Sequence, residues 1–475
     1  MRKSLVLIAV AVLATKLSAQ SVSSMSPTTR EFVTVSEPVV ALTNVTIVDG
    51  TGAPPRANQT IVIRGGKIAA VGAASSVTVP QGARTIDLNG QTVIPGIIGM
   101  HDHLFYTAAG GREAQLGFSG PRLYLGSGVT TIRTTGSVAP YADIGTKHAV
   151  DVGSIPGPHI VLTAPYITGS GTNGSTDMAV ITSPVAARRF VDYWAAEGAT
   201  WIKAYTDIRR ADLKAAIDEA HKRGLKVTGH LCSVSFQEAV DLGIDNLEHG
   251  FMTNTDFDPE KKPDMCPANS LVRVGAASAS GDAARATIKK MVDKKVPMTS
   301  TLAVFEMFFP KRPTSDERTL DAMSPEVKEA YMKMRTTIDT STKCPLTVEM
   351  FKNAMAFEKA FVDAGGTLGA GVDPTGFGGA LPGFGDQRNY ELFIEAGFTP
   401  GQAVQIMTAN GAKILGVYDK VGSIERGKAA DLVVLNGDLA SDPSVIRKVT
   451  TVFKDGVGYD SPKLISSVKG KVGIS

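Results

Sequence analysis

Short segments that alternate apolar and polar residues open and close the chain. VVALTNVTIVDG, QTIVIRGGKIAAVG and RTIDLNGQTVIPG lie near the N-terminus, and SIERGKAADLVVLNGDL and VTTVFKDGVGYD lie near the C-terminus. Alternation with period two between Gly, Asn and Pro turns predicts short, mostly antiparallel strands. We therefore predict one small β-sandwich domain assembled from residues 38–93 and 420–475.

The middle of the chain follows a different pattern. Short apolar runs such as GVTTIRTTG, ATWIKAYTD and LKVTGHL recur, and several precede helix-like stretches such as RRADLKAAIDEAHKRG. That stretch has apolar residues at helical spacing, acids early, bases late and Gly224 as its stop. Repeated strand-helix-strand units predict parallel pairing, and with TVIPGIIGMHDH as the first strand their number reaches eight. We predict an α/β fold with a (β/α)8 TIM barrel over residues 94–419, whose active site lies at the C-terminal ends of the strands.

The N-terminal segment MRKSLVLIAVAVLATKLSAQS has the features of a secretory signal. It has a basic start, an apolar stretch too short to span a bilayer comfortably, and small residues before Gln20. We predict a signal peptide over residues 1–19, a linker over 20–37, and an exported protein, periplasmic or secreted. A retained anchor is the alternative, because Lys16 lies late in the segment. The rest of the sequence has no run that predicts a transmembrane helix.

Net charge gives no argument for a nucleic-acid partner. The formal charge of +3 includes Arg2, Lys3 and Lys16, so removal of the signal would leave a net charge of zero. A basic surface is what nucleic-acid binding requires. With 43% hydrophobic and 20% charged residues, the composition is that of an ordinary globular protein.

Three cysteines are too few for a disulfide scaffold, but an oxidising compartment permits one bridge. Cys266 and Cys344 both precede proline in turn-like settings, whereas Cys232 adjoins a candidate metal ligand. We expect a disulfide between Cys266 and Cys344. Three free thiols are the alternative.

Four of the seven histidines fall at the ends of predicted strands: His101, His103, His230 and His249. Side chains alternate faces along a strand, so His101 and His103 point the same way while Asp102 points away. Two imidazoles inside a barrel mouth form a chelating pair. A polar decoration of the strand is the alternative for a His-x-His pair by itself.

Lys203 and Asp373 also end apolar runs. Burying an ammonium without a partner costs several kcal/mol, so Lys203 either pairs with a carboxylate or has reacted as a neutral amine with carbon dioxide. The resulting carbamate has two oxygens that can bridge two cations. Asp373, in LGAGVDPTG, can bind metal and accept a proton from metal-bound water, although an Asp before Pro is also common in turns.

At this point the chain resembles the amidohydrolase superfamily, in its binuclear subtype with a carboxylated lysine. The resemblance rests on VIPGIIGMHDH, VTGHL, NLEHG, GVD and the closing segment MTANGAKILGVYDKVGSIERGKAADLVVLNGD. Among the branches of that superfamily the chain is similar to the imidazolonepropionase-related enzymes, which include Xaa-Pro or Xaa-Arg dipeptidases and ochratoxin-hydrolysing amidases. Gly99 departs from the pattern, because an acidic residue is usual just before the His-x-His segment.

The resemblance implies a ligand set and a reaction. His101, His103 and Asp373 would hold a buried metal, His230 and His249 an outer one, and carboxylated Lys203 both. Two divalent ions are implied; zinc is expected, and manganese or cobalt would also fit. A metal-bridged hydroxide would attack the amide bond of a small N-acyl amino acid or dipeptide-like substrate, and Asp373 would pass the proton to the leaving amine.

Two other functions stay open on the sequence. The same site could act on a lactone, cyclic imide or carbamate, or the chain could be a binding protein that has kept the fold without catalysis. The second alternative predicts lost ligands, whereas all six ligand positions are filled. Enzymes of this kind commonly assemble, so a homo-oligomer is expected.

Substrate contacts should come from the segments that follow the strands. Tyr205 could donate to the oxyanion or to a substrate carboxylate, or pack at the barrel rim. Arg388, in a glycine-rich segment suited to a lid, is a candidate carboxylate anchor. Phe305, Phe308 and Phe309 form either an aromatic flap over the site or part of the core.

Overall fold

The computed structural model describes residues 22–171, 177–312 and 316–473. The predicted signal peptide, residues 1–19, lies outside the described residues. Within them the chain forms a closed parallel barrel and a separate mixed sheet.

The barrel is a ring of eight parallel strands, as the sequence predicted. Hydrogen bonding between the first and last strands closes the ring, with Gly99 opposite Ala370. A two-residue strand, Ala179–Val180, pairs in parallel with the end of the third barrel strand and is not part of the ring. In chain order the eight strands are Ile97–Asp102, Val129–Thr134, His159–Thr168, Trp201–Ala204, Lys226–Gly229, Asn246–Glu248, Met298–Ser300 and Leu368–Ala370.

Helices connect and surround the barrel strands. The predicted helix after the fourth strand spans Arg210–Lys222, with Asp212 in its first turn and Lys222 in its last. These charges suit the helix dipole, and the helix buries Leu213, Ala216, Ile217 and Ala220. The α-helices of the chain are Pro27–Arg30, Ser119–Gly126, Pro140–Asp151, Pro184–Ala196, Arg210–Lys222, Phe236–Leu242, Ser270–Ala276, Asp282–Asp293, Leu302–Glu306, Glu317–Ala322, Pro325–Thr340, Val348–Asp363, Phe384–Glu395, Pro400–Gln405, Gly411–Leu415 and Ser461–Ser466.

The second sheet takes strands from both ends of the chain. Leu432–Leu435 pairs antiparallel with Thr92–Pro95, so a C-terminal strand lies directly beside an N-terminal one. The sheet is mixed, because Val39–Ile47 pairs in parallel with Thr92–Pro95. Its strands lie in the order Val33–Val35, Val457–Asp460, Val449–Lys454, Leu432–Leu435, Thr92–Pro95, Val39–Ile47, Arg56–Arg64 and Lys67–Ala73, with Arg84–Asp87 paired to Val39–Ile47.

The alternation seen in the sequence gives this sheet its own core. Val40, Leu42, Ile61 and Phe453 belong to one cluster of buried apolar side chains, separate from the main cluster of the barrel. Every second residue of such a strand points to the same face, so alternate apolar positions are buried together. A separate two-stranded hairpin, Phe105–Thr107 with Glu113–Gln115, follows the first barrel strand.

The expected disulfide between Cys266 and Cys344 is wrong. Cys232 and Cys266 are bonded, with their Cα atoms 4.9 Å apart, and Cys344 is free. Cys232 follows the fifth barrel strand and Cys266 lies in the segment after the sixth, so both reach the same end of the barrel. Proximity across neighbouring strands decides this pairing, and turn composition carries no information about it.

Among residues 22–171, 177–312 and 316–473, we find no helix with the length and apolar character needed to span a bilayer.

Candidate metal centre

The C-terminal ends of the barrel strands surround a cavity of about 770 Å³. That volume is within the usual range for small-molecule sites. The structure brings all six sequence-predicted ligands to the lining of this cavity: His101, His103, Lys203, His230, His249 and Asp373.

His101, His103 and Asp373 form the tightest group. The Nε2 atoms of His101 and His103 lie 3.6 and 3.4 Å from the two carboxylate oxygens of Asp373. All three residues are buried, and one ligand atom from each falls within 4.8 Å of the others. Imidazole and carboxylate donors at this spacing suit a divalent metal ion.

A buried carboxylate orients His101. Nδ1 of His101 lies 2.8 Å from Oε2 of Glu248, so the opposite ring nitrogen faces the cavity. Burial, followed by the charge of Lys203, holds the pKa of His101 well below its ordinary value. The ring is therefore neutral, which is the state that binds metal. A carboxylate behind a ligand histidine is a common support for metal sites.

Glu248 is itself held by a network of buried polar groups. Arg133 donates to Oε1 at 2.5 Å, Asn246 donates at 2.9 Å, and the Thr228 hydroxyl also donates to Oε1. Burial opposes ionisation of Glu248, but the charges of Arg133 and Lys203 outweigh it and lower its pKa. The local sequence did not predict this network. Its signals were an acid directly before His249 and an arginine inside the apolar run TTIRTTG.

Lys203 is fully buried on the fourth barrel strand. Its Nζ has no hydrogen-bond partner among the described residues. Burial lowers the pKa of Lys203 to about 8, although Glu248 and Asp373 act against that shift. A neutral amine is therefore accessible near neutral pH, which is the form that reacts with carbon dioxide.

His230 and His249 complete the cluster. Their ring centroids lie 4.2 Å apart, and the ring of His249 is 4.4 Å from that of His101. Nδ1 of His249 contacts the Thr301 hydroxyl at 2.8 Å, which leaves a buried Nε2 with no partner in the described structure. That atom is available to a metal. Burial is also the largest cause of the lowered pKa of both rings, to about 3 for His230.

Two of these residues have an unusual backbone. His249 has φ of +69° and Asp373 has φ of +49°, in the left-handed region that non-glycine residues rarely adopt. Such conformations cost free energy and concentrate at functional sites. His249 directly follows the sixth barrel strand, Asp373 lies three residues beyond the eighth, and both side chains line the cavity.

Gly99 is explained by Asp102. Asp102 points away from the two histidines, as predicted, and its Oδ1 accepts a hydrogen bond from Val372 N at 3.0 Å. A Cβ atom at position 99 would lie 1.7 Å from Oδ2 of Asp102. Only glycine fits beside this carboxylate, which links the first barrel strand to the segment before Asp373.

Aromatic side chains form much of the cavity wall. Tyr205 lies with its ring centroid 4.8 Å from His230 and 5.4 Å from Tyr166. The Tyr166 hydroxyl is 3.3 Å from Nε2 of His103, a contact that the sequence did not indicate. Phe305 and Phe308 also line the cavity. Phe309 does not, because it is fully buried against Phe351.

The structure does not bring Arg388 to the site. Its guanidinium donates to Glu306 at 2.8 and 2.9 Å and to Glu391 at 2.7 Å, and it is absent from the cavity lining. The glycine-rich segment suggested as a lid contributes Thr375 and Gly376 to the lining. Its C-terminal part forms the helix Phe384–Glu395, which carries Arg388.

A parallel barrel with a buried His-x-His pair and an Asp at its C-terminal end defines a metal-dependent hydrolase. Comparison with known families agrees, because residues 92–458 match the Amidohydrolase family. The chain belongs to this family, and it is a metal-dependent hydrolase acting on carbon-nitrogen bonds.

Individual relatives are distant. The imidazolonepropionase of Clostridium tetani (strain Massachusetts / E88) is 32% identical over 124 residues, which cover 24% of this chain and only 28% of that relative. A solved Xaa-Pro dipeptidase with bound methionine in the active site is 20% identical, with a TM-score of 0.66 over 89% of this chain and 100% of that one. The ochratoxinase of A. niger is 18% identical, with a TM-score of 0.62 over 89% and 96%. A putative prolidase from Bifidobacterium longum is 23% identical, with a TM-score of 0.62 over 90% and 98%.

Proposed function

We propose that this protein hydrolyses the amide bond of a small N-acyl amino acid or dipeptide-like substrate, using two divalent metal ions and a carboxylated Lys203. The observation that carries the proposal is the fully buried Lys203 amine, which has no hydrogen-bond partner in the described structure yet lies among four imidazoles and Asp373. A carbamate on this nitrogen would replace the unpaired amine with two oxygens that share one negative charge and can bind metal. Zinc is the expected metal, given imidazole and carboxylate donors.

The proposed roles combine the resemblance to the amidohydrolase superfamily with the buried group His101, His103 and Asp373. His101, His103 and Asp373 would hold one ion, His230 and His249 the other, and carboxylated Lys203 both. Bound divalent metal lowers the pKa of water toward neutrality and polarises the scissile carbonyl. Burial opposes ionisation of Asp373, but its contacts with His103 and the Thr375 hydroxyl favour the carboxylate and hold its pKa below the ordinary value. Asp373 is therefore an anion that can take a proton from water and deliver it to the leaving amine.

Tyr205 is the proposed hydrogen-bond donor to the substrate. Burial, followed by the charge of Asp373, raises its pKa to about 12, so the phenol keeps its proton at neutral pH. Its ring lies against His230. A phenol in this position can donate to the developing oxyanion or to a substrate carboxylate.

The cavity wall supports an apolar or aromatic substrate. Phe105, Phe305 and Phe308 line it, and Lys203 is the only lysine or arginine in the lining that the structure describes. A substrate carboxylate would therefore be met by tyrosine hydroxyls or by metal. The volume of about 770 Å³ accommodates a molecule of dipeptide size. Structural similarity to an Xaa-Pro dipeptidase and an ochratoxinase supports an amide as the scissile bond.

Replacement of Lys203 tests the proposal. We expect Lys203→Ala to lose at least about 100-fold in kcat/KM and to regain part of it with short carboxylic acids, which can take the place of the carbamate. The matched control is Lys222→Ala, which removes an exposed lysine paired with Glu219 and should leave kcat/KM unchanged. Unchanged turnover in Lys203→Ala would refute the bridging role.

A panel of matched substrates tests the choice of bond. An N-acyl amino acid, a dipeptide, a lactone, a cyclic imide and a carbamate that carry the same aromatic group should be compared by kcat/KM. We expect the amides to be turned over fastest. Faster turnover of the lactone or carbamate would leave the proposed metal site unchanged but would show that the substrate is not an amide.

Export and assembly are also proposed. The basic start and apolar stretch of residues 1–19 support a cleaved signal and a periplasmic or secreted enzyme. The mass of protein recovered outside the cytoplasm should correspond to a chain that begins at Gln20, and a membrane-bound full-length chain would contradict cleavage.

We also expect a homo-oligomer, which light scattering of the purified protein would test.

A further inference from the structure

A second cluster of metal-ligating side chains lies away from the catalytic cavity. His159 begins the third barrel strand, at the end opposite the cavity. Asp431 directly precedes the sheet strand Leu432–Leu435, and Asp455 lies in the turn before Val457–Asp460. The cluster therefore joins the N-terminal end of the barrel to the sheet.

The spacing of the three side chains suits one metal ion. Nε2 of His159 lies 3.2 Å from Oδ2 of Asp455 and 3.9 Å from Oδ2 of Asp431. One donor atom from each residue lies within 4.8 Å of the others. Donors about 2.0 to 2.1 Å from a tetrahedral zinc ion are separated by about 3.3 Å. The distance from His159 to Asp455 already matches this value, and the distance from His159 to Asp431 would have to shorten by about 0.6 Å.

Asp431 supplies an independent observation. Its side chain is 2% exposed, and Oδ1 accepts a hydrogen bond from Asp455 N at 2.7 Å. Oδ2 is buried without any hydrogen bond to the described residues, and it faces His159. A buried carboxylate oxygen without a donor is costly unless a cation meets it or a proton neutralises it.

The neighbouring ammonium of Lys454 is not the cation that meets Oδ2 of Asp431. Lys454 is buried next to Asp455, but its ammonium donates to the carbonyl of Gly157 at 2.9 Å. His159 and Asp455 are 28% and 21% exposed, so an ion and a completing water can reach the cluster from solvent.

We infer that His159, Asp431 and Asp455 bind a divalent transition metal, with zinc favoured, at a site separate from the catalytic centre. One imidazole and two carboxylates match zinc, manganese or cobalt better than the all-oxygen preference of calcium or magnesium. The ion stabilises the contact between barrel and sheet. The competing occupant is a proton on His159, which would make an ion pair with the two carboxylates and need no metal.

Metal content per chain tests the inference. His159→Gln and Asp455→Asn should each bind about one equivalent of zinc less than the parent protein after dialysis at fixed free zinc, because each loses a ligand. Asparagine tolerates the left-handed backbone of residue 455, where φ is +51°. His148→Gln, at an exposed histidine on the helix Pro140–Asp151, is the matched control and should keep the full zinc content.

Measurements of activity and of thermal stability distinguish this metal site from the catalytic one. We expect both cluster variants to keep kcat/KM within about two-fold, and the rise in melting temperature on adding zinc to be smaller than in the parent. An anomalous diffraction peak at the zinc edge between the three side chains would confirm the site. Equal zinc content and equal zinc-induced stabilisation in parent and variants would overturn it, as would a stability difference that depends on pH but not on zinc.

Discussion

Glu248 shows how much of this site lies behind the ligands. It accepts hydrogen bonds from Arg133, Asn246 and Thr228 while its other oxygen contacts His101. The direction of the His101 ring is therefore fixed before any metal binds. Preorganisation of this kind allows a ligand to bind metal without first losing conformational freedom.

The charge of Glu248 is open to a direct test. We expect Glu248→Gln to weaken metal binding or activity by about 10- to 100-fold, because the amide keeps the shape but is a poorer acceptor for the His101 ring and leaves the Arg133 charge unpaired. Metal affinity is measured by competition with a chelator, and activity by kcat/KM. Glu329→Gln, at an exposed glutamate, is the control. Metal affinity equal to that of the control would show that Glu248 does not act through His101.

Single residues were predictable where they end an apolar run. His101, His103, Lys203 and Asp373 stand out because polar side chains at the ends of buried strands need a reason to be there. Glu248 and Arg133 are also polar side chains buried on barrel strands, but their roles depend on which residues they contact across the barrel. That information is absent from the local sequence.

At the scale of elements, the disulfide between Cys232 and Cys266 holds one wall of the cavity. Cys232 lies two residues beyond His230, and the segment from Cys266 to Leu271 lines the cavity. The bond therefore ties the segment after the sixth strand to the end of the fifth. It limits how far that wall can move from His230.

Breaking this bond should affect both stability and catalysis. The cysteines are 34 residues apart, and loop-closure entropy for that separation gives about 3 to 4 kcal/mol of stabilisation. We expect Cys266→Ser to lower the free energy of unfolding by about that amount and to raise KM more than it lowers kcat. Denaturant unfolding and steady-state kinetics measure the two effects.

Cys344→Ser is the matched control for this prediction, because Cys344 is free and half-buried. It should change the free energy of unfolding and KM far less than Cys266→Ser. If Cys344→Ser and Cys266→Ser behave alike, the disulfide has no special part in shaping the cavity.

Elements also show where periodicity was informative. The helix Arg210–Lys222 has the apolar spacing, end charges and glycine stop that define a helix locally. The pattern of the segment 252–345 is less regular, and its described residues form helices of 3 to 16 residues together with the seventh barrel strand, Met298–Ser300. Phe308 lines the cavity while Phe309 is buried in the core, and their identical chemistry could not distinguish them.

At the scale of the whole molecule, buried ionisable groups make stability depend on pH. Glu358 lies on the helix Val348–Asp363 and is 2% exposed. Burial raises its pKa from 4.5 to about 8. Because the folded pKa is raised, the contribution of Glu358 to stability is complete below about pH 4.5 and is lost as the pH rises toward 8.

Glu358→Gln tests this dependence, because the amide removes the titration and keeps the shape. We expect the variant to match the parent near pH 4.5 and to gain in relative stability with rising pH, by about 1.4 kcal/mol per pH unit at most. Melting temperature followed from pH 5 to pH 9 measures the gain. Glu329→Gln serves again as the control, and curves for parent and Glu358→Gln that stay parallel across this range would contradict the assignment.

The sequence by itself determined the repeating strand-helix pattern, the sheet strands at both ends, and the polar residues that end buried strands. These features follow from local periodicity and from the cost of burying polar groups, which every residue carries with it. Tertiary structure alone decided the pairing of Cys232 with Cys266, the diversion of Arg388 to Glu306, and the meeting of His159 with Asp431 and Asp455. The physical reason is that such contacts depend on closure of the barrel, which brings together residues that are far apart along the chain.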